Sequence, residues 1–196
     1  VERPDVRRRS ATELTPEQWT RLERWLERRL AGEPVQYITG RPAFLELDLE
    51  VGPAVLVPRP ETEGLVEAVV AALRSLGRAP RVLDLGTGSG AIALAIAYAL
   101  PEGGVVATDR SAAPLEVAGR NAARYELTSR VEFRRGDWFE PVADERFDAV
   151  ASNPPYLATS EWDDLPDDVR RFEPHEALFS GSTGLDALRE IVDEAP

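Results

Sequence analysis

The stretch Arg81-Val82-Leu83-Asp84-Leu85-Gly86-Thr87-Gly88-Ser89-Gly90 reads as a buried strand that hands over to a helix through three glycines at alternate positions. Glycine at such a handover permits a tight turn and lets a ligand approach the main chain closely. The unpaired N–H groups at the start of the following helix offer donors to a carboxylate or a phosphate. By pattern alone two ligand classes fit, because Gly86, Gly88 and Ala91 also satisfy the dinucleotide fingerprint.

Working outward on the C-terminal side, apolar spacing predicts a helix over 90–100, a strand over 105–109, a helix over 114–125, a strand over 131–134 and a strand over 147–152. Strands alternating with helices call for an α/β fold with a parallel, doubly wound sheet and right-handed crossovers. Ligands bind such sheets beyond the carboxyl ends of the strands. Those ends carry Asp84, Asp109, Asp137-Trp138 and Asn153. Asp109 suits a ribose in either ligand class. Two features favour S-adenosylmethionine: Asp84 can stabilise the ammonium of its methionyl part, and Asp137 with Trp138 supplies an acceptor and an aromatic plate for adenine.

Asn153-Pro154-Pro155-Tyr156 follows the last of these strands directly. A planar amino nitrogen is a poor nucleophile because its lone pair is delocalised. The Asn153 side-chain oxygen and the Pro154 carbonyl can accept its two hydrogens, aim the lone pair at a sulfonium methyl and favour a tetrahedral nitrogen. Pro154 and Pro155 fix φ and stiffen the corner. Tyr156 can pack on the planar target and stabilise nearby positive charge. A dinucleotide-binding module would leave this tetrapeptide without a task.

On the N-terminal side, Thr15-Pro16-Glu17-Gln18 is a capping box with proline at the first helical position. It opens an amphipathic helix with Trp19, Leu22, Leu26 and Leu30 on one face, stopped by Gly32. Alternating apolar residues from Phe44 to Val57 predict a β-hairpin, and Leu65, Val66, Val69, Val70, Leu73 and Leu76 a helix capped at Gly77. The expected division is a remnant of a helical substrate-binding domain over 1–40, a hairpin connector over 41–58 and the catalytic domain over 59–196. The acidic stretch over 161–168 reads as a solvated loop, and a last helix runs over about 184–194. Only four sheet strands are accounted for, so the strand ending at Ser152 is expected to lie at an edge, with the C-terminal strands that would complete the sheet missing.

These motifs, together with Gly32-Glu33-Pro34-Val35-Gln36-Tyr37, Pro58-Arg59-Pro60-Glu61-Thr62-Glu63, Asp137-Trp138-Phe139 and Val169-Arg170-Arg171-Phe172-Glu173-Pro174, resemble the HemK/PrmC family, protein-(glutamine-N5) methyltransferases acting on peptide chain release factors. The resemblance implies a class I, Rossmann-like methyltransferase fold. It implies S-adenosylmethionine at Gly86, Thr87, Gly88, Ser89, Gly90, Asp109, Trp138 and Asn153. It also implies a substrate glutamine, in a Gly-Gly-Gln loop, held by Asn153, Pro154, Pro155 and Tyr156. Arg59 and Glu61 are expected either to shape the cofactor pocket or to cap a helix, and His175 to lie on the surface.

Composition narrows the chemistry. The chain has no cysteine and one histidine, which removes thiolate catalysis and makes a histidine metal site or acyl-transfer triad improbable. The net charge of -12 disfavours stable nucleic-acid binding, hence also methylation of nucleic-acid amino groups. A protein substrate fits better, with a release factor preferred over a ribosomal-protein glutamine on the strength of the segment 169–174. With no apolar run of membrane-spanning length and an arginine-rich start, a cytoplasmic protein with no membrane partner is expected.

Overall fold

A computed structural model describes residues 13–195. The helix α1 (Pro16–Leu30) starts as its sequence requires: the Thr15 hydroxyl accepts the Gln18 N–H while Gln18 Oε1 accepts the Thr15 N–H at 2.9 Å. Its amphipathic pattern does not translate into burial. No α1 residue is buried, and Trp19, Leu26 and Leu30 are exposed.

A short helix α2 (Val35–Thr39) follows, ending at Gly40 with positive φ. The predicted hairpin is present but reduced to β1 (Ala43–Phe44) and β2 (Leu47–Asp48). Beyond β2 the pairing is one-sided, with Leu49 N–H donating to Pro42 O and Val51 N–H to Gly40 O at 3.1 Å each while Pro42 has no N–H to return, and the alternating apolar residues serve two cores. Phe44, Leu47 and Leu49 enter the main core beside α3 (Pro60–Arg74), whereas Val51, Val55 and Val57 join a smaller cluster with Tyr37 and Val117. The helix α3 ends at Arg74, before the expected cap at Gly77.

The parallel sheet comprises β3 (Arg81–Leu85), β4 (Gly104–Asp109), β5 (Val131–Arg135) and β6 (Ala149–Ser152) in the order β5-β4-β3-β6. Order reverses between β3 and β6, and that is where a ligand crevice opens in this architecture. Sheet residues Val82, Val105, Ala107, Val131 and Ala151 pack with α3, α4 (Ala91–Ala99) and α5 (Ala112–Arg124) in the main core. Leu83, Leu85 and Val106 face the other way, against Val142 and Ile191 of α7 (Asp186–Glu194). Each fully buried leucine or phenylalanine here contributes roughly 2–3 kcal/mol.

Two expectations need correction. The last strand begins at Ala149 rather than at Phe147, because Asp148 turns its carboxylate to the Arg81 N–H and the Arg78 guanidinium. The acidic stretch is a 3₁₀ turn over Thr159–Asp164 followed by α6 (Asp167–Phe172), not a loop. Among the described residues β6 forms one edge of the sheet, and no helix is long and apolar enough to cross a membrane.

Candidate active site

A cavity of about 320 Å³ opens at the carboxyl edge of the sheet. The glycine loop gives it Gly86 and Gly88, the end of β4 gives Asp109, and the segment after β5 gives Asp137 and Trp138. Pro154 and Pro155 close the side beyond β6. Residues that follow all four sheet strands thus meet in one crevice.

The loop has its shape for local reasons. Gly86 has a φ of +69°, and a Cβ there would stand 3.4 Å from the Trp138 ring, so the indole lies directly over the turn. Both Asp109 oxygens are engaged with backbone, accepting the Gly88 and Ser111 N–H groups at 3.0 Å each. The carboxylate therefore docks the glycine loop to β4 while still lining the cavity with unused lone pairs. Burial holds its pKa above the ordinary carboxylate value.

Asp84, Thr87 and Ser89 lie beneath the loop and are buried, so none lines the cavity. Asp84 Oδ2 accepts the Thr87 hydroxyl at 2.6 Å and the Ala93 N–H at 3.1 Å, whereas Oδ1 is buried without a partner. An anionic oxygen enclosed without a donor is costly, so this environment favours the protonated carboxyl group. Desolvation pushes the Asp84 pKa up to about 7, against an ordinary value of 3.8. The folded chain thus retains a proton that the unfolded chain has already released. Stability from this group is complete below about pH 4 and is lost as pH rises through 7. Asp84→Asn should therefore match the ligand-free wild type in melting temperature near pH 4 and exceed it near pH 8. Parallel melting curves across that range would show that Asp84 does not titrate there.

The Asn153 corner is held from both sides. Before it, the Ser152 hydroxyl donates to the Leu85 carbonyl at 2.8 Å; after it, Leu157 donates to Leu178 O and accepts from Ser180 N, both at 2.9 Å. Asn153 Nδ2 donates to Thr62 Oγ1 at 3.3 Å. Among the described residues no hydrogen bond engages Asn153 Oδ1 or the Pro154 carbonyl, and both are left as acceptors for a guest. Pro154 is buried and Asn153 half-buried, while Tyr156 is 57% exposed at the outer rim.

Arg59 and Glu61 do not line the cavity. Arg59 donates at 2.6 Å to Glu173, whose buried carboxylate also takes the Val57 N–H at 3.2 Å. That pair ties two walls missed by sequence reading: Ala54, Val55 and Leu56 on one side, Pro174, Glu176 and Ala177 on the other. The motif around Glu173 was the available signal, but no spacing rule connects it to Arg59. Asn121 was missed too; it bridges Ser89 O, Glu50 O and Glu50 N, fastening the loop to the connector. His175 is exposed as expected and stacks on Phe179 at 4.4 Å between ring centroids. The described residues hold no cluster of His, Cys, Asp and Glu able to bind a metal ion.

Comparison with known proteins supports both fold and family. Residues 62–165 match the methyltransferase small domain, and residues 1–40 match the PrmC N-terminal domain. The chain is 50% identical over 171 residues to a release factor glutamine methyltransferase of Gloeobacter violaceus, covering 87% of this chain and 59% of that protein. It is 52% identical over 173 residues to that of Xylella fastidiosa, with 87% and 61% covered. Against that of Moorella thermoacetica it is 45% identical over 193 residues, with 98% and 68% covered. The chain thus spans about three fifths of the first two relatives. The hMettl16 catalytic domain, solved with a MAT2A 3′UTR hairpin, superposes with a TM-score of 0.59 at 16% identity, covering 82% of this chain and 60% of that one. At that identity the likeness speaks for the fold alone, a class I methyltransferase fold with a parallel sheet.

Proposed function

The chain belongs to the release factor glutamine methyltransferase family, and from that premise we propose that it methylates the side-chain amide nitrogen of a glutamine in the Gly-Gly-Gln loop of a peptide chain release factor. The methyl donor in this reading is S-adenosylmethionine. The observation that carries the proposal is the pair of unengaged acceptors, Asn153 Oδ1 and Pro154 O, on a stiff corner beside a cavity closed by the glycine loop.

The residues present fit the donor. Gly86 and Gly88 bring bare backbone to the cavity, Asp109 offers lone pairs suited to ribose hydroxyls, and Asp137 with Trp138 forms the wall for adenine. Thr87, Ser89 and Gly90 shape the loop, and Asp84, enclosed beneath it, braces it through the Thr87 hydroxyl and the Ala93 N–H. When bound, S-adenosylmethionine supplies an electrophilic methyl group. Asn153 and Pro154 accept the two amide hydrogens of the glutamine and localise its lone pair. Pro155 keeps the corner rigid, and Tyr156, at the rim, packs on the carboxamide plane. No strong base is needed, since the nitrogen becomes acidic once it carries the methyl group.

The segment 1–40 is read as part of a helical substrate-binding unit, and the cytoplasm, where release factors work, as the compartment. The net charge of -12 accords with a protein partner and not with stable nucleic-acid binding. Incubation with labelled methyl donor and, separately, release factor, ribosomal protein, DNA and RNA tests the class. Label is expected on a release-factor glutamine; label confined to nucleic acid would overturn the reading. Asp109→Ala should weaken donor binding by on the order of 10- to 100-fold in calorimetry, the worth of a charge-assisted hydrogen bond and of the loop it docks. Unchanged affinity would show that the ribose is held elsewhere.

A further inference from the structure

We propose that Thr62 is the positioning residue for Asn153. This rests on the reading of Asn153 as an acceptor of the substrate amide. Thr62 Oγ1 takes a hydrogen from Asn153 Nδ2 across 91 positions of sequence. With the nitrogen end of the amide engaged, the oxygen end is the atom left for a guest. An unheld asparagine side chain samples several χ1 and χ2 arrangements, and each carries Oδ1 to a different place relative to the Pro154 carbonyl. Two acceptors that must grip one –NH2 group together gain from having the mobile member fixed beforehand.

Thr62 is not there for its own helix. It is the third residue of α3, whose start is already set by Pro60 and by the acids Glu61 and Glu63. Threonine is a poor helix former, and its hydroxyl reaches across to the β6 corner instead of back to Arg59 at the N-cap, which receives no side-chain hydrogen bond. The turn that carries it is tied at two further points. Arg59 donates to Glu173 at 2.6 Å, and Glu63 accepts the Leu45 N–H at 3.0 Å. Thr62 therefore presents its oxygen from a braced support.

The test compares Thr62→Val, Thr62→Ser, Asn153→Ala and the double variant Thr62→Val/Asn153→Ala. Thr62→Val should lose roughly five- to tenfold in kcat, as expected for one neutral hydrogen bond, with donor affinity unchanged within twofold. Thr62→Ser, which keeps the hydroxyl, should recover most of that loss. On the Asn153→Ala background the valine should cost less than a further twofold. In donor-free protein, the Asn153 side-chain amide signal in a ¹⁵N–¹H spectrum should move in Thr62→Val and return in Thr62→Ser. If the valine variant does not fold, Thr62→Ala takes its place in each comparison. Wild-type kcat in Thr62→Val beside an impaired Asn153→Ala would remove Thr62 and leave the reading of Asn153 intact. So would a full additional loss in the double variant, failure of serine to rescue, or an unmoved amide signal. Wild-type turnover in Asn153→Ala would end both.

Discussion

Asn153→Ala is expected to lower turnover on a release-factor glutamine by roughly 100- to 1,000-fold, the range seen when one preorganised transition-state hydrogen bond is removed, while donor affinity stays within about threefold. The asymmetry follows from the geometry. Asn153 is half-buried at the end of β6, its nitrogen is held by Thr62, and its oxygen is unengaged, so alanine deletes an acceptor without opening the core. The donor pocket is built from other parts: Gly86, Gly88, Asp109 and Trp138 line the cavity and Asn153 does not. Single-turnover kinetics alongside calorimetry separates the two quantities. A variant that turns over normally, or one that fails only through lost donor binding, would contradict the assignment.

Gly184→Ala is expected to cost both stability and turnover, although Gly184 lines no part of the cavity. Its φ is +73°, a region that alanine enters at a cost of about 1 kcal/mol or more. The added Cβ would also stand 2.3 Å from Tyr156 O and 3.0 Å from Ala158 N, and main-chain atoms cannot swing aside as a flexible side chain can. Relief requires moving the segment that exits the Asn153 corner, which is paired to Leu178 and Ser180. The expected result is a loss of roughly 2–4 kcal/mol in denaturant unfolding and a fall in kcat of at least about tenfold in the fraction that remains folded. Wild-type values for both would mean that the close approach of Gly184 to Tyr156 has no mechanical consequence.

The legible parts of the molecule were those whose cause is local. The Thr15 to Gln18 capping box, the strand into Gly86 and the corner at Asn153 each follow from residues within a few positions of one another, and the structure has them at the ends of the predicted elements. Trp19, Leu26 and Leu30 show the limit of periodicity: a pattern marks a helix and its apolar face but does not say what, if anything, that face touches. The helix around Tyr37 is too short to carry a period; it forms because Tyr37 buries its ring and donates its hydroxyl to Val55 O at 2.6 Å. The rest of the site was illegible because it is tertiary. Arg59 and Glu173 lie 114 positions apart, Thr62 and Asn153 91, and Asn121 and Glu50 71. No spacing rule reaches so far. Asp84 is the instructive case: expected to meet an ammonium at the loop, it is enclosed beneath the loop with one oxygen unpaired instead of facing the cavity.

The most direct test is a crystal structure of the protein with S-adenosylhomocysteine and a Gly-Gly-Gln peptide. The glutamine side-chain nitrogen should lie about 2.7–3.2 Å from both Asn153 Oδ1 and Pro154 O, with its remaining face toward the sulfur. A complex in which that nitrogen is bonded elsewhere, or in which Asn153 turns its oxygen into the protein, would contradict the account.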